Sequence, residues 1–454
     1  MSILSIIISL SGLIIVPLIA YISLRGTIFD ISNPQQNAWP LLWYYEILLV
    51  LVPLVLVSIF GINNIDILFK AKPGTESQVA IFVIITLIIY ILSLAIFLRL
   101  FQLRARKNKG EKNSYIPQEN LIYALAIIAL IMLIVFYFLG YKHAFLTSIL
   151  TKESLLSVRL ANKYDSLVPS QAQSILRLIG YLLSALSGYL GKVNLKKSIL
   201  FLILSIFILS TPGDKAPLVW GLLIWLLALG KLLPHSLFSL KTVFFLISII
   251  CIVFITLYFV VSMQIPSLTL EKYFSYLINR LGIGQMAGVY ETVGLAKMGA
   301  TPQGNFYWHM IPGASFFVDY IDFQKILMMV TEGYEHAEMG VKNTYFIAEA
   351  YAIGGIPFVF LSPIMVGFST VLGLILLIDI LRKFVGRELA PYLGLMLYFK
   401  TQSITGGFSH FPLLKGIILI IIQLFIIWIL CIIVMPITKI TFKRKFRFSS
   451  KKCV

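Results

Sequence analysis

The chain has 454 residues, 59% hydrophobic and only 12% charged, with a mean hydropathy of +0.94. A soluble domain carries roughly twice that share of charge, so a water-soluble globular fold is excluded. The net charge of +18 does not indicate nucleic-acid binding, because Lys and Arg sit between apolar runs and not on one soluble face.

Apolar runs able to cross about 30 Å of hydrocarbon recur along the chain. They predict spans near 2–24, 41–62, 79–98, 121–140, 171–191, 198–211, 217–230, 242–264, 350–380, 389–406 and 413–436. The expected fold class is all-α, a polytopic transmembrane helical bundle of about 11 spans. The first run, Ser2 to Leu24, lacks a basic start and exceeds the apolar stretch of a signal peptide, so it reads as a span. Residues 1–264 then hold the first eight spans, 265–349 one long loop, 350–436 the last three spans, and 437–454 a basic tail.

That tail carries Lys439, Lys443, Arg444, Lys445, Arg447, Lys451 and Lys452 and no acid, which predicts a cytoplasmic location. The links at 99–112, 192–197, 231–241 and 382–387 are basic as well, and one orientation satisfies them all. It puts the amino terminus, segment 141–170 and the long loop outside. The loop holds eight of the nineteen acids: Glu271, Glu291, Asp319, Asp322, Glu332, Glu335, Glu338 and Glu349. His143, His309, His336 and His410 fall on the same side. A long loop without low-complexity character is expected to be functional.

Two helix breaks stand out. The run 198–211 is roughly 14 residues, about 21 Å, too short for the hydrocarbon. It ends in Thr211-Pro212-Gly213-Asp214-Lys215-Ala216-Pro217. Non-helical backbone at that depth is tolerated only inside protein or along a watery cavity. Lys215 is therefore expected at the floor of an outward cleft beside Asp214; the plainer alternative is a tight turn with a neighbouring ion pair. The second break opens the ninth span, where Asn343 or Thr344 is expected to cap a helix with outward-pointing amides. Lys342 beside that terminus suits a phosphate group. Glu349 faces either the bundle or the cleft, and Gly354-Gly355-Ile356-Pro357 interrupts the helix further on.

Arg280 lies in an amphipathic stretch, Tyr276 to Gly282, while Arg159 and Lys163 belong to the earlier outer segment and Arg177 opens the fifth span. Together such cations suit an anionic head group, Arg bidentately; singly, each reads as a snorkelling side chain. Tyr307 and Trp308, next to His309, suit sugar rings or an interfacial belt. No metal is expected: His336 among Glu332, Glu335 and Glu338 has no ligand spacing, and Cys251, Cys431 and Cys453 give neither a metal nor a disulfide framework. No Walker, HExxH or serine-elbow sequence is present, so no nucleotide or other cofactor is expected.

Three stretches resemble the bacterial oligosaccharide repeat-unit polymerases, the Wzy-type enzymes of O-antigen and capsule assembly. They are Tyr276 to Glu291, the Phe-Tyr-Trp-His-Met-Ile-Pro-Gly run at 306–313, and Asn343 to Gly355 entering the next span. Where that family commonly has a Gly-Ser/Thr-Arg turn, this chain has Gly213-Asp214-Lys215. The resemblance implies a GT-C-like fold with a partly helical extracytoplasmic loop, in the bacterial cytoplasmic membrane. It implies glycosyl transfer between undecaprenyl-pyrophosphate-linked oligosaccharides, with membrane lipid and a chain-length regulator protein as partners. On that basis Arg280, Lys215, Arg159 and Lys342 would face pyrophosphate, with Lys163, Tyr307, Trp308 and Asn343 also on the substrate. His309 and Glu349 would be the candidate bases. An O-antigen ligase and a flippase of lipid-linked oligosaccharide are the rival readings.

Overall fold

A computed structural model of the protein describes residues 3–32, 40–65, 67–103, 119–229, 247–248, 251, 254–259, 261–262, 269–302, 304, 308, 310–311, 314, 317–319, 321–334, 341–386 and 389–449. Every regular element among them is helical. In chain order these are α1 (Ile3–Ser23), α2 (Pro40–Phe60), α3 (Glu76–Leu100), α4 (Glu119–Phe138), α5 (Ala144–Thr151), α6 (Leu155–Tyr164), α7 (Ser170–Leu190) and α8 (Leu195–Ser210). There follow α9 (Lys215–Leu229), α10 (Leu270–Leu277), α11 (Ala287–Lys297), α12 (Phe323–Glu332), α13 (Ile347–Val385), α14 (Ala390–Thr401) and α15 (Lys415–Ser449).

Among the described residues, six helices are long and apolar enough to cross a bilayer: α1, α2, α3, α4, α13 and the Lys415–Pro436 part of α15. The chain is a multi-pass membrane protein. The other predicted spans are mostly helical where described, although 402–406 is not, and α8, α9 and α14 hold 16, 15 and 12 residues. At about 1.5 Å per residue none of these reaches the thickness of the hydrocarbon. The remaining long helix, α7, is diluted by Gln171, Gln173 and Arg177. Among the described residues, length and composition alone therefore support six of the roughly eleven expected spans. The predicted span at 242–264 lies mostly outside the described residues.

One continuous apolar core runs through the bundle. In it α13 lies against α3, α7 against α8 and α9, and α15 against α4. Small residues set the closest approaches, as lipid offers no hydrophobic drive between spans and backbones must come near to gain dispersion. Ser184 and Ser205 share a 2.6 Å hydrogen bond between α7 and α8, and the Ser198 hydroxyl donates to the Ser187 carbonyl at 2.6 Å. At Gly188 a Cβ would stand 2.5 Å from the Trp225 carbonyl oxygen and 2.6 Å from the Ala228 Cβ. Gly188→Val is expected to force α7 from α9 and cost about 1–3 kcal/mol. A detergent-solubilised melt matching wild type would contradict that contact.

The expected interruption of α13 is a kink: Gly354 has φ −144° and ψ 17°, and Gly355 has φ 63° and ψ −155°. Only glycine holds the second of these without strain, and Pro357 then withholds the next backbone donor. The described part of 265–349 is partly helical. It runs through α10, a π turn at 278–282 and a 3-10 turn at 283–285 into α11 and α12.

Candidate functional site

The turn between α8 and α9 is built by its neighbours. Asn162 clasps Lys142 with both ends of its amide, accepting from Lys142 N at 2.8 Å and donating to Lys142 O at 2.7 Å, which fixes α6 against 141–143. Ser154 caps α6, accepting from Ser157 N at 3.1 Å. Ala144 N donates to Thr211 O at 2.9 Å, and His143 caps α5, accepting from Leu146 N at 3.3 Å. The other ring nitrogen of His143 lies 3.1 Å from Phe207 O, which makes it the donor. Burial holds this imidazole below its usual range, so it is a neutral structural clasp. Gly213 has φ +77°, and a Cβ there would come within 3.1 Å of Arg159 Cγ and Cδ. The absent side chain is what lets the Arg159 stem lie across the turn.

Two adjoining cavities, of about 290 Å³ and 450 Å³, share Arg159, Arg177 and Asp214 as a common wall. Lys163 lines the smaller one; Lys215, Tyr276 and Lys400 line the larger. Asp214 does not pair with its neighbour Lys215, as a plain turn would have it. Its Oδ1 lies 2.6 Å from Arg159 Nη2 and its Oδ2 3.3 Å from Arg177 Nη2. Lys215 donates to the Tyr276 hydroxyl at 2.7 Å, joining α9 to α10. The Lys400 ammonium sits 5.1 Å from the Tyr181 ring centroid and 5.2 Å from that of Trp220. It makes no hydrogen bond and no ion pair among the described residues, and Arg177 Nε is buried without a partner. Arg159, Arg177, Lys215 and Lys400 face one carboxylate here, a basic lining whose chemistry suits an anion with more than one charge.

Lys400 was missed by the sequence reading of the site. A lone lysine inside the apolar run 389–406 was the available clue, since an ionisable group within a span needs a partner or a cavity.

The second sequence-derived break is arranged differently. Lys342 is 6% exposed and is held by Glu291 and Glu332, each at 2.7 Å. It also donates to Thr331 Oγ1 at 3.3 Å and lies under the Phe69 ring. It therefore ties α11, α12 and the 67–69 segment together and is not open to phosphate. Burial pushes the Glu291 carboxyl up to about 7, against the pull of Lys342 and with the help of Glu332. Nor does Asn343 cap α13: it donates to Gln285 Oε1 at 2.9 Å. The amides of Thr344, Tyr345 and Phe346 do not point outward either. They donate to Thr405 O, Thr405 O and Ile404 O at 3.1, 3.2 and 3.1 Å. The reason is tertiary: the segment after α14 folds back and supplies those carbonyls.

Glu349 faces the bundle. Fully buried, it accepts from Ser409 N at 3.0 Å and Ser409 Oγ at 3.2 Å, and it borders neither cavity. The buried Glu46 of α2 accepts from Ile404 N at 3.5 Å, so two acidic side chains brace the segment that follows α14. Among the other sequence candidates, Trp308 is half-buried and lines neither cavity. The backbone of Arg280 lies in the π turn at 278–282. Its side chain, together with Tyr307 and His309, lies outside the described residues. No cluster of His, Cys, Asp and Glu able to hold a metal exists among the described residues. Comparison with models of known protein families, with curated proteins and with solved structures finds no match to this chain.

Proposed function

We propose that this protein is a membrane-embedded glycosyltransferase that polymerises undecaprenyl-pyrophosphate-linked oligosaccharide repeat units into O-antigen or capsular polysaccharide. The observation that carries the reading is the cavity where Arg159, Arg177, Lys215 and Lys400 meet a single carboxylate. The choice of substrate rests on the resemblance of the 270–375 region to the repeat-unit polymerases. In this reading the site opens on the outer face of a bacterial cytoplasmic membrane and about eleven segments cross or enter the bilayer. The short helices α8, α9 and α14 count among them, shielded by their longer neighbours.

The chemistry is a displacement at the donor's anomeric carbon. A hydroxyl of the acceptor glycan forms the new C–O bond. The bond to the diphosphate breaks, and its electron pair leaves on the diphosphate oxygen. The cations stabilise the charge gathering there. Arg159 and Arg177 offer planar forks and Lys215 and Lys400 point charges. The hydroxyl proton goes to a base; Glu349 is walled off from the cavity, which leaves His309 of the two sequence candidates.

Deletion of the gene tests the assignment through the surface polysaccharide on a gel. The expected product is lipid core carrying one repeat unit. Bare core with polymer retained on the lipid carrier would make the protein a ligase, and absence of exported repeat unit would make it a flippase. A normal ladder would remove the protein from this process altogether.

A further inference from the structure

The molecule holds two kinds of ion pair, and burial separates them. Lys342 and Glu291 have side chains 5% and 0% exposed, a closed pair whose rupture strands a charge in low dielectric. Arg159, Asp214 and Arg177 are 34%, 32% and 37% exposed at the edge of a cavity. Water reaches that pair, so exchanging one anion for another there costs little.

Asp214 is also placed to move. It follows Gly213, which bends the turn at φ +77°, and precedes the first residue of α9. Its two oxygens engage one guanidinium each, at 2.6 Å and 3.3 Å, as two oxygens of a phosphoryl group would. Around it, among the described residues, the cluster stays under-neutralised: Lys400 has no acceptor and Arg177 Nε has no partner.

We propose that Asp214 is a tethered counter-anion: a diphosphate entering the larger cavity displaces its carboxylate from Arg159 and Arg177, and the carboxylate returns as the diphosphate departs. This rests on the reading of that cavity as a diphosphate site. It makes Asp214 a positioning residue that governs ligand exchange and keeps the arginines aligned between turnovers.

The test is calorimetric binding of inorganic pyrophosphate to the purified full chain in detergent. Asp214→Asn keeps the size and removes the competing charge. It is expected to bind pyrophosphate about tenfold more tightly than wild type, a difference of about 1.4 kcal/mol. Asp214→Ser, smaller and neutral, should show the same gain, whereas Asp214→Glu should stay near wild type. In a polymerisation assay the neutral variants should lower KM and kcat together, because release slows. Equal or weaker pyrophosphate binding by both neutral variants, with wild type binding, overturns the counter-anion proposal and leaves the site reading standing. If wild type, Asp214→Asn and Asp214→Ser all fail to bind pyrophosphate, the diphosphate reading falls and this proposal with it.

Discussion

Lys400→Met is expected to reduce repeat-unit polymerisation by about 10²–10³-fold, the usual cost of losing one donor to a developing anion, while the protein keeps its level and its melting temperature. Methionine retains an unbranched stem between Tyr181 and Trp220 and removes only the ammonium. That ammonium has no acceptor among the described residues, so no described group is left unpaired when it goes. Arg159→Ala should lose at least as much, because it also releases Asp214 from its 2.6 Å contact. Arg159→Lys should fall between, keeping charge but not the planar fork. Lys297→Met, at an exposed position in the last turn of α11, serves as the surface control and should match wild type. The polysaccharide ladder of complemented deletion cells reads the series. Full-length polymer from both Lys400→Met and Arg159→Ala would show that the cavity does not serve the reaction.

The largest expected effect on stability is at Lys342. Lys342→Met strands two carboxylates, Glu291 at 0% exposure and Glu332 at 18%. Breaking a buried pair from one side costs about 3–5 kcal/mol, out of a total stability of about 5–15 kcal/mol for a typical domain. The variant should be depleted from membranes and melt far earlier. Glu291→Gln should be mild, since Lys342 keeps Glu332. It should also change the pH response. The folded-state pKa of Glu291 is raised from its ordinary 4.5 to about 7, so between those values the folded protein holds the proton more tightly than the unfolded chain. The stability it contributes is complete below the lower value and is lost as pH rises toward the upper one. Wild type should therefore melt lower at pH 8 than at pH 5 by more than Glu291→Gln does. Parallel pH profiles would contradict the buried, proton-holding arrangement.

Both predictions depend on groups whose partners are far away in the chain. Lys342 meets Glu291 across 51 positions, and Lys400 joins a cavity whose arginines come from α6 and α7. This separates what the chain says locally from what it does not. Composition and apolar run length determined an all-helical, membrane-crossing protein, because a buried backbone in lipid must satisfy its own hydrogen bonds and helices do so within one segment. The breaker run at 211–217 was legible too: Pro, Gly and Asp crowded together disfavour helix, and α8 and α9 part at Gly213 and Asp214 beside a cavity. The Gly354-Gly355 kink was legible for the same reason.

The count of spans was less so. A run such as 198–211 or 389–406 reads as a span by composition, whereas crossing requires a helix long enough to reach both faces.

The tertiary structure alone decided which charges are open. Along the sequence, Lys342 at a supposed helix cap was expected at phosphate, while Lys400 inside an apolar run was passed over. In three dimensions two carboxylates from α11 and α12 close the first. Aromatic rings from α7 and α9 steady the second without neutralising it. The physical reason is that a cation's availability depends on which acceptors the fold brings within about 4 Å, and spacing along the chain does not encode that.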